Sequence, residues 1–390
     1  MWRSKLCARY RTVPGATAAA LLTTALLNGC EAGPTGPSAE QSPPAIQSAE
    51  VPGAIKVMTW NVYQGAPLDP LFEPGLTPFE VIQRATAIWQ QILATDFPSR
   101  AEAIADQIAE AQPDVVGLQE VAQFFTDPDG DGPLTQADVP VLDYLEILLD
   151  ALEARGAEYV VGAFNANADA EVPIIVSVAP LDLDDIRLVD RDVILVRSDI
   201  SWSNPQSSNF IARIPISLGG FSLDILRGWS AIDVTAAGTA FRFVNTHLET
   251  FVPAVQVAQA QELLAVLAAE TRPVAMVGDF NSEADGSTTP TYGLVVETGG
   301  FRDAWPPQGQ GFTCCHDPDL LNLRADLDQR IDFVFLRGDF GFGPPGFLGA
   351  VQGSLIGDKP SDRTPSGLYP SDHTGIATTI RSFLGLAQQG

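Results

Sequence analysis

Lysine is scarce in this chain of 390 residues, in which only Lys5, Lys56 and Lys359 occur. A Lys-rich surface that could follow a phosphate backbone is therefore excluded, and this disfavours nucleic acid as a partner. Acidic residues, in contrast, number 48 against 22 Lys and Arg, which gives a formal net charge of −26. A charge of this sign and size suits a small or weakly charged ligand, and it equally serves solubility.

Long apolar runs are also scarce. The run from Gly15 to Leu27 is too short to cross a bilayer as a permanent helix, and it follows a basic stretch without acids. This pattern predicts a secretory signal peptide over residues 1–29. The residues up to Cys30 (LNGC) resemble a bacterial lipoprotein cleavage box, so we expect an exported protein that Cys30 anchors by lipid to the cell envelope. Plain secretion with an incidental Cys30 is the alternative, since Asn28 fits the box imperfectly.

Residues 30–54 are predicted to be an unfolded tether, because five prolines and few bulky apolar groups lie between Glu31 and Ala54. Without residues 1–29 the chain keeps 18 basic and 48 acidic residues, a formal net charge of −30. Residues 55–390 contain no further segment long enough to span a membrane. They are numerous enough to bury a large core, and we expect one monomeric domain.

Cysteine is rare as well, with four in the chain. Outside residues 1–30 only the adjacent pair Cys314 and Cys315 remains. A bridge between neighbours is strained, because their Cα atoms lie closer than in ordinary disulfides. A zinc site with His316 is the alternative, but no second Cys/His cluster completes a ligand shell. A structural pair in a loop is the preferred interpretation.

Periodicity predicts the elements of the domain. Residues 55–61 (IKVMTWN) alternate as a strand does, Arg100–Glu110 has the pattern of a helix, and Val141–Gly156 predicts an amphipathic helix. Further strands, a helix over Gln256–Ala269 and a strand-rich last third follow. Mixed strand and helix order, with polar residues at strand ends, indicates a layered α/β fold whose site lies along one edge of the sheets.

The stretch MVGDFNS (residues 276–282) shows the pattern most clearly. A short apolar run ends on a carboxylate and a carboxamide, and alternation places Asp279 and Asn281 on the same side. Metal-assisted hydrolysis of phosphoryl esters requires hard oxygen ligands for Mg²⁺, imidazoles that contact phosphate, and carboxylates that orient both. The polar residues at strand ends supply all of these: Asn61, Glu120, His247, Asp279, Asn281, Asp332, Asp372 and His373.

The segments TWNV, GLQEV, NTHLE, VGDFNS, RIDFVF and SDHTGI occur in this order across residues 55–382. Together they resemble the signature segments of the endonuclease/exonuclease/phosphatase superfamily, which has the deoxyribonuclease-I-like fold. The resemblance implies a four-layer α/β sandwich, in which two packed mixed β-sheets are flanked by helices. It also implies an enzyme that uses Mg²⁺ or Mn²⁺ to hydrolyse a phosphoester substrate, here in an exported bacterial member.

The resemblance further implies where a metal binds. Glu120 would be the main Mg²⁺ ligand with Asn61 beside it, and Asp372 would support that metal or a second one. Asp279 and Asn281 would position the attacking water and the phosphate.

Two histidines complete the set that the resemblance implies. His247 and His373 would flank the scissile phosphate, and Asp332 would orient His373. A histidine held by a carboxylate favours its charged form, which can stabilise a pentavalent phosphate. Taken singly, His247 could be a satisfied core residue and Asp332 a carboxylate in a turn.

A second constellation, DPDGDGPLTQAD, begins at Asp127 and has the spacing of a calcium loop. Asp127, Asp129 and Asp131 would be side-chain ligands of a structural Ca²⁺, with Gly132 at the turn and Asp138 closing the ring. The closing residue is usually Glu, and a proline follows the glycine here. A solvated acidic turn is therefore the alternative.

Four other polar residues could reach a substrate. Arg191 and Arg197 flank the strand DVILV and either could contact a phosphate, although ordinary edge positions explain them as well. Asn167 and Asp169 could face a substrate, but their spacing alone does not decide it.

Three functions stay open. The preferred one is a phosphodiesterase or phosphatase acting on a small molecule or a lipid headgroup, including a sphingomyelinase-like activity. The others are a secreted metal-dependent nuclease and a catalytically silent interaction protein on the same scaffold. A silent scaffold ranks last because none of the eight polar positions is lost, and the substrate stays open because loops over the site select it.

Overall fold

Strands dominate the computed structural model, which describes residues 53–128, 130–132, 134–218, 221–305, 311–341 and 350–381. The predicted signal peptide, Cys30 and Asp129 lie outside these residues. The described strands are β1 (Ile55–Asn61), β2 (Val115–Gln119), β3 (Gln123–Asp127), β4 (Val139–Asp143), β5 (Tyr159–Val178), β6 (Leu181–Arg197), β7 (Ser201–Asn209), β8 (Ile214–Leu218), β9 (Phe221–Ile225), β10 (Gly228–Ala236), β11 (Thr239–His247), β12 (Val274–Asp279), β13 (Arg302–Asp303), β14 (Asp332–Arg337), β15 (Ala350–Ile356) and β16 (Gly375–Arg381).

Helices connect these strands. The α-helices are α1 (Pro78–Ala94), α2 (Phe97–Ala111), α3 (Tyr144–Ala154), α4 (Pro253–Leu267) and the short α5 (Thr291–Gly293). Two 3₁₀ turns, Asp69–Phe72 and Pro360–Asp362, and a π-helical segment, Leu294–Thr298, complete the described elements. In the part of the chain that the structure describes, no helix combines the length and the hydropathy needed to cross a membrane.

The strands pair into two large sheets and one separate hairpin. The first sheet has the order β15-β16-β1-β2-β6-β3-β4, and β5 also pairs with β6. The second sheet has the order β13-β14-β12-β11-β10-β7, and β8 pairs with β9. One parallel pair lies among antiparallel neighbours in each large sheet, β1 with β2 and β11 with β12. Both large sheets are therefore mixed, as predicted.

Three apolar clusters show the layers. Alternation along β1 sends Val57 toward the second sheet and Met58 toward the helices, since the two residues belong to different clusters. The cluster of Met58 includes α1, α2 and α3, and the cluster of Val57 fills the space between the sheets. Met276 of β12 belongs to a third cluster with Leu263 of α4. Helices, sheet, sheet and helix thus form the predicted four-layer sandwich.

Register carries polar residues of both sheets to one edge. Asn61 is the last residue of β1 and pairs with Gln119 across the parallel β2. In the second sheet His247 pairs with Asp279 across β11 and β12, and Asp279 pairs with Asp332 across β12 and β14. Since parallel strands end at the same edge, the fold itself gathers these side chains.

The structure adds a helix that the sequence analysis does not predict and shortens one that it does. A signal for α1 exists, because Thr77 and Glu80 form a capping box at its start. The helix predicted from Val141 begins only at Tyr144, because Val139–Asp143 forms β4. The Asp143 side chain then accepts a hydrogen bond from the Leu145 amide and caps α3.

Candidate active site

Asn61 and Glu120 meet where β1 and β2 end. The Asn61 amide nitrogen donates to Glu120 Oε1 at 3.1 Å and to Asp279 Oδ2 at 3.2 Å, so one side chain joins the two sheets. The backbone amide of Gln64 donates to the other Glu120 oxygen at 2.9 Å. Glu120 has a φ of +57°, a left-handed conformation that costs energy for a residue other than glycine. The strained backbone conformation therefore occurs at Glu120, the residue predicted to be the main metal ligand.

Asp279 lies between the two predicted histidines. Its Oδ2 atom is 3.6 Å from His247 Nε2 and 3.9 Å from His373 Nε2. His247 ends a strand of the second sheet, whereas His373 precedes β16 of the first. The Asn281 amide donates to Asp279 Oδ1 at 2.8 Å, and the Asn281 side chain donates to the Leu248 carbonyl at 2.9 Å. Two imidazoles from opposite sheets therefore face one carboxylate.

Asp332 holds the ring of His373. Its Oδ2 atom lies 2.8 Å from His373 Nδ1, and both side chains are buried. Burial by itself would lower the pKa of His373, but the carboxylates of Asp332 and Asp372 outweigh it and hold the pKa well above its usual range. These carboxylates therefore favour the charged form of His373, which lines the pocket.

His247 has the opposite character. Arg227 Nη1 lies 3.1 Å from His247 Nδ1. Because a guanidinium can only donate, Nδ1 must accept, and the ring proton resides on Nε2. Burial and the charge of Arg227 lower the pKa of His247 well below its usual range. This environment favours the neutral form of His247, in contrast to His373.

Asp190 and Asp192 of β6 belong to the site, although the sequence analysis did not select them. Asn167 donates to Asp192 Oδ2 at 2.8 Å and to Asp190 Oδ2 at 3.3 Å, and Arg227 lies 3.6 Å from Asp190. The two aspartates are two residues apart in a strand, which is the same signal that identified Asp279 and Asn281. Alternation turns the intervening Arg191 away from them.

The arginines considered as phosphate contacts bind elsewhere. Arg191 pairs with Asp143 at 2.6 Å, and Arg197 pairs with Asp114 at 3.0 Å. Asp169 similarly pairs with Arg187 at 2.6 Å, while Asn167 does face the site. Of these four residues, only Asn167 lies beside the predicted set.

The site contains more negative charge than its own cations balance. Burial, reinforced by Asp190, raises the pKa of Glu120, and burial, reinforced by Asp332, raises the pKa of Asp279 to about 7. Burial also raises the pKa of Asp372 to about 7. Among the described residues, one carboxylate oxygen each of Asp190 and Asp332 has no hydrogen-bond partner. Buried oxygens of this kind are suitable ligands for a hard divalent cation.

Two groups of side chains could hold such a cation. Glu120 offers one oxygen beside Asn61. The half-buried Asp372 lies near it, because burial and then the charge of Glu120 raise the pKa of Asp372. Ligand atoms of Asp279, Asp332 and His373 also lie within 4.8 Å of one another. The second group overlaps the pair that holds the His373 ring.

The predicted calcium loop is only partly described. The Asp131 carboxylate accepts hydrogen bonds from the amide and the hydroxyl of Thr135, both at 3.1 Å. The Gly132 amide donates to the buried Asp185 at 2.9 Å. Asp127 ends β3, and Asp138 is exposed. A calcium ion here stays a prediction.

A disulfide joins Cys314 and Cys315 in the wall of the site. This bond removes the free thiolates that the zinc alternative requires. His316 stacks on Tyr369 with ring centroids 3.8 Å apart instead of completing a ligand shell. The structural interpretation of the pair therefore fits the described geometry.

Fold and site together define an α/β sandwich protein with an acidic, two-histidine pocket at the edge of paired sheets. The chain matches the model of the Endonuclease/Exonuclease/phosphatase family over residues 58–373, and it belongs to that family. A comparison with curated proteins finds no significant match.

Several solved structures resemble the fold. An endonuclease/exonuclease/phosphatase family protein from Leptotrichia buccalis C-1013-b is 17% identical with a TM-score of 0.50, covering 84% of this chain and 99% of the other. An endonuclease/exonuclease/phosphatase from Bacteroides vulgatus is 17% identical with a TM-score of 0.48, at 84% and 99% coverage. D. rerio TDP2 complexed with single strand DNA product is 19% identical with a TM-score of 0.48, at the same coverage. At these identities the likeness concerns the fold.

Proposed function

We propose that this protein is a divalent-metal-dependent hydrolase of phosphoesters. The observation that carries the proposal is the arrangement of two imidazole Nε2 atoms, from opposite sheets, 3.6 and 3.9 Å from one oxygen of Asp279. A phosphoryl group in front of Asp279 would be flanked by a neutral donor, His247, and a cationic donor, His373. Such preorganised donors stabilise the charge that develops on a phosphoryl group in the transition state.

Each remaining residue then has a task. Water attacks phosphorus and gives a proton to a base, and the bond from phosphorus to the ester oxygen breaks. The departing oxygen takes a proton from solvent, to which the base returns the proton that it accepted. Asp279, whose pKa is raised to about 7 by burial and by Asp332, is suited to accept the proton of the water. Asn281 is held beside it by the Leu248 carbonyl and can orient the phosphate. His373, kept cationic by Asp332, stabilises the anionic oxygens.

The donor set fits Mg²⁺ or Mn²⁺. Glu120 and Asp372 would hold the ion with Asn61 beside them, and carboxylate oxygens match the preference of a hard cation. When bound, such an ion polarises a phosphoryl oxygen and neutralises charge. The excess of buried carboxylates supports this assignment, because a divalent cation would relieve their mutual repulsion.

The metal assignment is tested with Glu120→Gln, which removes one charge and preserves shape. The assay is hydrolysis of bis-p-nitrophenyl phosphate with Mg²⁺, Mn²⁺, Ca²⁺ or a chelator. We expect Glu120→Gln to lose turnover, and the chelated wild type to recover when excess Mg²⁺ is added. The matched control is Glu110→Gln, at an exposed position on α2, which should behave as the wild type. Full activity of Glu120→Gln would refute the metal assignment.

We further propose a small or lipid phosphoester as the substrate class, in preference to nucleic acid. A formal net charge of −26 repels a polyanion over long distances, most strongly at low salt where screening is weak. We therefore expect kcat/KM for a small ester or sphingomyelin to exceed that for duplex DNA. DNA cleavage that is efficient at low ionic strength and declines with added salt would instead support a nuclease. Absence of turnover across esters, inositol phosphates, nucleic acids and metals would favour a silent interaction protein.

We also propose that the protein is exported and acts at the cell envelope, either through a lipid on Cys30 or in secreted form. The basic and apolar pattern of residues 1–29 and the residues before Cys30 support this location.

A further inference from the structure

An apolar chamber is continuous with the proposed active site. One cavity of about 440 Å³ is lined both by polar residues of the proposed active site, among them His247, Asp279 and His373, and by apolar side chains of several elements. The apolar lining includes Leu71, Ile88, Trp89, Phe124, Ile186 and Leu188. Its volume lies within the range of about 300–1,000 Å³ that is usual for small-molecule sites.

The chamber opens to solvent, but part of its lining is buried. Leu71, Ile88 and Ile186 are at most 9% exposed, yet all three line open space. Residues of helix α1 and of the long strands β5 and β6 contribute to the lining. Protein interiors are close-packed, so buried apolar side chains that line open space forgo contacts that a bound apolar group would supply. Its persistence beside the site points to an occupant.

The lining has a polar part at the proposed active site and an apolar part, and together they restrict the kind of molecule that can bind. A nucleic-acid strand would bring further phosphates against leucine, isoleucine and tryptophan, and an inositol phosphate would leave its hydroxyl groups without partners there. A phosphoester with one long apolar substituent matches both the polar and the apolar part of the lining. Its phosphate would lie between His247 and His373, and its hydrocarbon would be buried in the chamber.

The rim of the chamber is also apolar. Phe72 and Phe251 line it, and their rings contact edge to face with centroids 5.5 Å apart. Phe251 follows His247 by four residues and is 41% exposed. A hydrocarbon chain could therefore pass from solvent to the interior along an aromatic surface next to the catalytic histidine.

We propose that the chamber binds the long alkyl chain of the substrate, so that the enzyme selects phosphoesters of long-chain alcohols. This inference rests on the proposed phosphoester hydrolysis and names its substrate class. Each methylene that leaves water should raise kcat/KM by up to about fourfold until the chamber is full.

The test uses p-nitrophenyl phosphodiesters that carry methyl, butyl, octyl or dodecyl groups, below their micelle concentrations and with Mg²⁺. We expect kcat/KM to rise at least tenfold from methyl to octyl. Ala85→Leu, on the chamber side of α1, should remove the preference for octyl while the methyl ester is unaffected. The matched control Ala87→Leu, on the exposed face of the same helix, should keep it. If Ala85→Leu overpacks the helix and unfolds, Ala170→Leu fills the chamber from β5.

A second measurement separates this inference from the proposed reaction. Calorimetry of methylphosphonate and octylphosphonate binding needs no turnover, and we expect at least tenfold tighter binding of the octyl compound by the wild type. If no ester is hydrolysed but the octyl preference in binding persists, the chamber proposal stands and the hydrolase proposal fails. Hydrolysis and binding that do not depend on chain length, or a preference that survives in Ala85→Leu and Ala170→Leu, would overturn the chamber proposal alone.

Discussion

Arg100 of α2 is a fully buried cation, and replacing it with methionine should destabilise the fold strongly. Its guanidinium donates four hydrogen bonds, at 2.7, 3.0, 2.8 and 2.9 Å, to the carbonyl oxygens of Val62, Tyr63, Thr95 and Pro370. Two of these carbonyls directly follow Asn61, and another lies two residues before Asp372. One side chain therefore ties together the two loops that carry predicted metal ligands.

The magnitude follows from these bonds. A hydrogen bond to a charged group contributes about 1.5–3 kcal/mol, so four would give about 6–12 kcal/mol if nothing opposed them. Burial of the cation opposes them, as the lowered pKa of Arg100 shows. Arg100→Met would leave four buried carbonyl oxygens without donors, at about 1–3 kcal/mol each, and would remove the cost of burying the cation. We therefore expect a net loss of about 3–5 kcal/mol. That is a large part of the roughly 5–15 kcal/mol that stabilises a folded protein.

The assay is urea unfolding followed by circular dichroism, with the free energy of unfolding extrapolated to water. The matched control is Arg155→Met, directly after the neighbouring α3. Arg155 pairs with Glu102 and Asp106, which are 59% and 66% exposed, and this substitution should cost less than about 1 kcal/mol. A loss below about 1 kcal/mol for Arg100→Met, or equal losses for both variants, would refute the reasoning.

Four further predictions concern chemistry, metal, location and pH. Asp332→Asn should lower kcat/KM about 10- to 150-fold, as expected for one charge-assisted hydrogen bond, and should cost little once His373→Gln is present. If Asp332→Asn lowers kcat/KM by as much in the His373→Gln variant as in the wild type, the pairing of Asp332 with His373 is contradicted. Ca²⁺ should raise the Tm of the wild type but not of Asp129→Ala, and an equal rise in both would show that the loop is only a turn. Wild type should partition into the detergent-soluble membrane fraction and Cys30→Ser should be released, whereas a wholly soluble wild type would favour plain secretion. Hydrogen bonds from a neighbouring guanidinium lower the pKa of Glu270 from 4.5 to about 2, so its stabilisation is present above about pH 4.5 and is lost as the pH falls toward 2. Because this carboxylate is partly exposed, Glu270→Gln should lower Tm by only about 1–3 °C at pH 7 and by less at pH 3, and equal losses at both would disprove the linkage.

The layered fold and its main strands could be predicted because they depend on local patterns. Val57 and Met58 are both apolar and adjacent, and both are buried because β1 has a sheet on one side and helices on the other. The eight polar positions were recognisable for a related reason, since each lies at or close to one end of an apolar strand. The helix α1 was missed although its capping residues, Thr77 and Glu80, are present in the sequence.

The character of the site could not be predicted residue by residue. His247 and His373 look alike in the sequence, but Arg227 contacts one ring and Asp332 the other. One histidine is therefore neutral and the other cationic. Arg227 gave no sequence signal, because it lies in an irregular link before β10.

The sequence by itself determined which residue types lie at strand ends, and with them the family and the predicted chemistry. Strand alternation and the order of segments are properties of the chain itself, so they can be recognised from the sequence without knowledge of contacts. Only the tertiary structure decided that Asp190, Arg100 and the apolar chamber belong beside that chemistry. Their roles depend on burial and on partners distant in the chain, as with Arg100 and Pro370, which are separated by 270 positions. Electrostatic and packing energies depend on distances in space, and the fold alone sets those distances.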